Sequence, residues 1–106
     1  MSTPETVICT FRVIPGKLDD FRKLLTLHWP VLHKLGLIED SPHLALEGID
    51  KGVEGDVVEI FAWKSREAVE IAHQSPEVLA IWEPMGMLCE ARNGKPPMEF
   101  PHYRPA

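Results

Sequence analysis

The hydrophobic pattern changes period at Pro15-Gly16, and that change limits the fold more than any other feature of the chain. Before it, Val7 to Val13 (VICTFRV) is rich in β-branched and aromatic residues and ends in a turn dipeptide, which predicts a strand. After it, Leu18, Phe21, Leu24, Leu25, His28, Leu32 and Leu35 recur at three- and four-residue steps, the spacing of one helical face. The predicted helix covers 17–35 and stops at Gly36. Pro30 is expected to kink or divide it, because proline lacks the backbone donor and crowds the carbonyl four residues earlier.

The rest of the chain repeats this logic. His43–Ile49 (HLALEGI) and Val57–Trp63 (VVEIFAW), joined by the Gly- and charge-rich Asp50–Asp56, predict an antiparallel hairpin. Ser65 is suited to cap a helix carrying Ala68, Val69 and Ala72 on one face, and Ser75-Pro76 restarts it. Val78, Leu79, Ile81 and Trp82 fill this second piece, with Pro84 predicted to break it again. Met98–Tyr103 predicts a short last strand that Pro101 confines to a sheet edge or an interrupted ladder.

The element order is therefore β-α-β-β-α-β, the α+β ferredoxin-like arrangement of a four-stranded antiparallel sheet with both helices on one face. The 106 residues suffice for a single domain, 1–106, with its core over about 5–104. Nothing else in the chain covers the second face of the sheet. By alternation that face holds either Val7, Cys9, Phe11 and Val13 or Ile8, Thr10 and Arg12 from the first strand. From the third strand it holds either Glu59, Phe61 and Trp63 or Val58, Ile60 and Ala62. Either set carries large apolar groups, so a homodimer formed sheet against sheet is expected.

Composition excludes several functions. With 11 Lys+Arg against 16 Asp+Glu the net charge is −5, and the basic residues are scattered, so no nucleic-acid partner is expected. No apolar run reaches the roughly 20 residues that span a bilayer. The start, MSTPETV, lacks a basic segment followed by an apolar one, so the cytoplasm is the expected compartment and no membrane is involved. Cys9 and Cys89 stand far apart with no metal-ligand spacing, which predicts two buried thiols. His28 and His33, five apart, do not share a helical face, no glycine-rich phosphate loop follows a strand, and there is no nucleophile elbow. No metal and no cofactor are expected.

The strand ending in Pro15-Gly16 with its helix, followed later by Glu59-Ile60-Phe61-Ala62-Trp63-Lys64-Ser65, Glu67-Ala68 and Ser75-Pro76, resembles the antibiotic-biosynthesis-monooxygenase-like group of dimeric α+β barrel proteins. The similarity covers roughly residues 5–90. It implies two sheets closing a barrel across a dimer, a pocket between sheet and helices, and an activity such as cofactor-independent oxygenation of phenolic or quinol-type aromatics. Haem-degrading relatives look for an Asn, a Trp and a ligating His where this chain has Cys9, Ala72 and Trp82, with His73 one position from the second. Non-catalytic binding of a small molecule, or a stress-response barrel, are the alternatives the same fold allows.

Within that pocket a small apolar or aromatic molecule is expected. His28 interrupts the apolar face of the first helix and needs a partner or a cavity. His73 lies where the second helix breaks. Either is a candidate base, because an imidazole titrates near neutrality. Trp82, Trp63 and Phe61 are candidate aromatic walls. Glu59, mid-strand between apolar neighbours, would orient the substrate or a water, or else join Arg12 and Glu47 in a structural charge network. Trp29, His33 and His43 are expected to be packing, surface and strand-start residues.

Overall fold

The computed structural model describes residues 3–106, and residues 1–2 of the predicted domain lie outside the described residues. The elements in chain order are β1 (Glu5–Arg12), α1 (Leu18–Lys34), β2 (Ile38–Glu47), β3 (Asp56–Trp63), α2 (Arg66–His73), α3 (Pro76–Met87), β4 (Met98–Glu99) and β5 (His102–Tyr103). All pairings are antiparallel, with strand order β2-β3-β1-β4 and β5 continuing the same edge against β1. This is the predicted α+β, ferredoxin-like sheet, its last strand split in two around Phe100-Pro101. No helix among the described residues is long and apolar enough to cross a membrane.

Local chemistry accounts for the element ends. Gly16 has φ 85°, a conformation that glycine adopts without steric cost, so the chain turns there from β1 into α1. No side chain caps α1, but Asp19 and Asp20 place negative charge in its first turn. Ser65 and Ser75 accept hydrogen bonds from the backbone of Ala68 and Val78, capping α2 and α3 as predicted.

Of the two interior prolines, only Pro84 departs from expectation. Helix α1 runs on through Pro30, and α3 runs through Pro84 to Met87 instead of breaking. Each proline forfeits one ladder bond, while Phe21, His28 and Leu32 on α1 and Val78, Ile81 and Met85 on α3 are buried, so packing holds the helices together.

Register settles which side chains face the helices. Val7, Cys9, Phe11 and Val13 from β1 and Val57, Glu59, Phe61 and Trp63 from β3 are buried on the helix side. The open side carries Ile8, Thr10, Val58 and Ile60, with Leu44 and Leu46 opposite Ile60 and Val58 and half exposed. Strand β2 begins at Ile38, five residues before the predicted start, and contains a bulge: Ile38 pairs with Trp63 and His43 with Phe61. Residues 39–42 thus oppose a single residue of β3. In a regular strand Ile38 and His43, five apart, would face opposite ways. The bulge reverses that parity and keeps His43 on the helix side.

A cavity walled by aromatics and histidines

Between the helix side of the sheet and helices α1, α2 and α3 lies a cavity of about 280 Å³. Its walls are Val7, Cys9 and Phe11 from β1, Phe61 and Trp63 from β3, His28 from α1, Val69 and His73 from α2, Trp82 and Met85 from α3, and Met98, Phe100 and His102 from the C-terminal segment. Five predicted residues, His28, His73, Trp63, Trp82 and Phe61, therefore line one cavity. The sixth, Glu59, does not. It is fully buried behind His28.

The geometry around His28 fixes its protonation pattern. Trp82 Nε1, a donor only, gives its hydrogen to His28 Nε2 at 2.8 Å, so Nε2 is the bare nitrogen of a neutral ring. The hydrogen then sits on Nδ1, which donates to Glu59 Oε1 at 2.7 Å. Both nitrogens of His28 are committed, and the buried chain runs Glu59 to His28 to Trp82. Phe61 packs edge-on against the imidazole, with ring centroids 5.7 Å apart. Trp63 meets Trp82 nearly at right angles, at 6.4 Å.

The second oxygen of Glu59 lies 3.4 Å from His43 Nε2. His43 is thus more than a strand-start residue. It stacks on one face of Trp29, at 4.7 Å, and His33 stacks on the other, at 4.6 Å. His33 also holds Asp40 at 2.6 Å, and that contact keeps the Asp40 carboxyl below its ordinary value. No residue pattern signals this arrangement, because it depends on the bulge that returns His43 to the helix side.

The predicted charge network of Arg12, Glu47 and Glu59 does not form. Cys9, not Arg12, stands opposite Glu59, and three residues along a strand put Arg12 on the other face. There its guanidinium binds the Pro96 carbonyl at 2.7 Å and Glu99 at 2.6 Å. Glu47 pairs with Arg22 of α1, which lowers the carboxyl from its ordinary value.

The other two imidazoles of the cavity have a free nitrogen. His73 donates from Nδ1 to the Val69 carbonyl of its own helix at 2.9 Å; Nε2, bare when the ring is neutral, is without a protein partner among the described residues. Its ring stands against Trp82 at 4.9 Å. His102, which the sequence did not single out, directs Nδ1 to Glu5 Oε1 at 2.8 Å. That hydrogen bond, reinforced by Arg66 and opposed by burial, holds the Glu5 carboxyl below its ordinary value. No residue pattern signals this role, because His102 comes beside Val7 only through pairing across the sheet edge.

The cavity's thiol is inert. Burial, with the Glu59 charge adding to it, pushes Cys9 far above the ordinary thiol range, so it stays protonated. Among the described residues no group of three or more His, Cys, Asp or Glu is placed to hold a metal ion. What remains is an apolar, aromatic chamber bearing imidazole acceptors, suited to hold a planar molecule with a hydroxyl group and to receive its proton.

Neither a family model nor a curated protein matches this chain. Solved structures do. Rv0793 from Mycobacterium tuberculosis is 20% identical, with a TM-score of 0.76 over 98% of this chain and 96% of that one. SnoaB, a cofactor-independent oxygenase from Streptomyces nogalater, is 16% identical at a TM-score of 0.74, over 98% and 94%. A provisionally named antibiotic biosynthesis monooxygenase from Bordetella bronchiseptica is 13% identical at 0.76, over 98% of both chains. TM-scores of 0.74 to 0.76 over nearly the whole of both chains agree, and the chain has the ferredoxin-like α+β fold of the antibiotic biosynthesis monooxygenase-like proteins.

Proposed function

We propose that this protein is a cofactor-independent monooxygenase that takes a phenolic or quinol-type aromatic into the cavity. One observation carries the reading: the apolar chamber is walled by Phe61, Trp63 and Trp82, and its only hydrogen-bond acceptors of appreciable basicity are imidazoles. An electron-rich phenol that loses its hydroxyl proton becomes an anion able to reduce dioxygen itself, so the protein needs to position the ring, exclude water and accept a proton. In this reading His73 accepts a hydrogen bond from the ligand through its bare Nε2. Glu59 acts through His28, which holds the Trp82 indole in the wall. SnoaB, with the same fold, is itself a cofactor-independent oxygenase.

The open side of the sheet supports a homodimer. Ile8, Val58, Ile60, Leu44 and Leu46 form a contiguous apolar surface, and a second copy of the same face is its natural cover. The two free thiols, Cys9 and Cys89, agree with a reducing cytoplasm.

The commitment of both His28 nitrogens favours a second reading, a binding protein without turnover. Oxygen uptake with a panel of hydroquinones separates the two. Oxygenation predicts uptake by protein treated with a chelator, and weaker substrate binding in His73→Ala, as expected for a residue that hydrogen-bonds the ligand. Ligand binding with no uptake supports the second reading, and neither binding nor uptake rejects both.

A further inference from the structure

Within that chamber, we propose that Glu5 and His102 form a second, carboxylate-oriented imidazole site, and that a bound phenol gives its proton to His102. The inference rests on the reading that the cavity takes a phenol, and it adds a residue pair that plays no part there.

Three observations carry it. First, His102 lines the cavity and pairs across the sheet edge with Val7, another wall residue. Second, its Nδ1 lies 2.8 Å from Glu5 Oε1, and an ionised carboxylate only accepts, so a hydrogen sits on Nδ1; the neutral ring then has a bare Nε2, which meets no protein partner among the described residues. Third, Glu5 is held by Arg66 as well, with Nη2 to Oε1 at 3.0 Å and Nε to Oε2 at 3.2 Å, so the carboxylate is itself fixed.

The three cavity imidazoles then differ in kind. His28 has no free nitrogen. His73 has one, but its other nitrogen faces a neutral carbonyl and its side chain is exposed. Only His102 combines a bare Nε2 with a carboxylate that stabilises the ring once it is protonated, the logic by which a buried acid supports a catalytic histidine. In the step proposed, the phenol O–H bond breaks, its electron pair stays on oxygen, and an N–H bond forms at Nε2. The products are a phenolate and an imidazolium paired with Glu5. Glu5 is a positioning residue, since it acts through His102.

The probe for this step is 4-nitrophenol, whose phenolate absorbs in the visible while its neutral form does not. Quenching of indole fluorescence reports binding independently of ionisation. The wild-type protein, at a pH where the free probe is mostly neutral, should quench and develop the phenolate band. His102→Gln should bind within about twofold while losing at least about tenfold of the bound phenolate signal. Glu5→Gln should lose it as well, because an amide can donate to Nδ1 and turn the ring over to the other tautomer. Glu5→Asp, which keeps the acceptor, should restore part of it. A band that survives His102→Gln and disappears in His73→Ala overturns the proposal and leaves the phenol reading standing. Binding without any band in the wild type does the same. No quenching at all removes the phenol reading and this proposal together.

Discussion

Replacing His28 by leucine would leave the Glu59 carboxylate fully buried with one remaining neighbour, His43 at 3.4 Å. Taking away the donor that faces a buried carboxylate strands an uncompensated charge, which costs about 3–5 kcal/mol, because the stranded group keeps its desolvation penalty. The Trp82 N–H loses its acceptor too, but that ring borders the cavity, where water can partly replace His28, so it adds no more than about 1 kcal/mol. A cost near 4 kcal/mol is a large share of the roughly 5–15 kcal/mol that holds a domain folded. At 4–8 °C per kcal/mol for a domain of about this size, it lowers the thermal midpoint by about 20 °C. The double variant His28→Leu with Glu59→Leu removes the stranded carboxylate and should recover at least about 2 kcal/mol of the loss. Urea unfolding of the wild type, both single variants and the double variant, at one protein concentration, measures all the differences. A His28→Leu cost below about 1 kcal/mol, or a double variant no more stable than His28→Leu, would mean that Glu59 does not depend on His28.

Other consequences follow from the same contacts. Glu5, Asp40 and Glu47 are held below their ordinary values by His102, His33 and Arg22, so each adds stability above its unfolded value and loses it as acid protonates it. The thermal midpoint should therefore fall as pH drops below about 4.5 and stay flatter between 5 and 7, and a flat profile down to pH 3 would contradict those pairings. Burial pushes the Cys89 thiol up to about 11, and Cys9 higher still, so neither should react with a thiol reagent at pH 8 until urea unfolds the chain; rapid labelling of the native protein would show that one of them is reached by solvent. Light scattering at micromolar concentration should report about twice 12.0 kDa if the open sheet face pairs with its own copy, and a 12.0 kDa particle would reject that interface.

Elements governed by local periodicity were legible in the residues. The β1-to-α1 switch at Pro15-Gly16, the serine caps of α2 and α3 and the interruption of the last strand by Pro101 all depend on neighbours a few positions apart. So did the convergence of His28, His73, Trp63, Trp82 and Phe61, once the element order placed them between sheet and helices. What depended on register was hidden. Alternation alone offered two faces for β1 and β3, and only the pairing of Cys9 with Glu59 shows that Arg12 points away. The bulge at 39–42 brings His43 to Glu59, and no residue pattern in β2 announces it. His102 was invisible for a related reason, since its meeting with Glu5 joins the two ends of the chain across the sheet edge.

Occupation of the chamber behind Trp82 and Trp63 by an aromatic ligand is read from the three indole N–H resonances of the 15N-labelled protein during a hydroquinone titration. Trp82 and Trp63 line the cavity, and the Trp82 N–H is bonded to His28, whereas Trp29 is stacked between His33 and His43 outside it. A ligand in the chamber should shift the Trp82 and Trp63 signals saturably and leave Trp29 unmoved. Three unmoved signals, or a shift confined to Trp29, would contradict it.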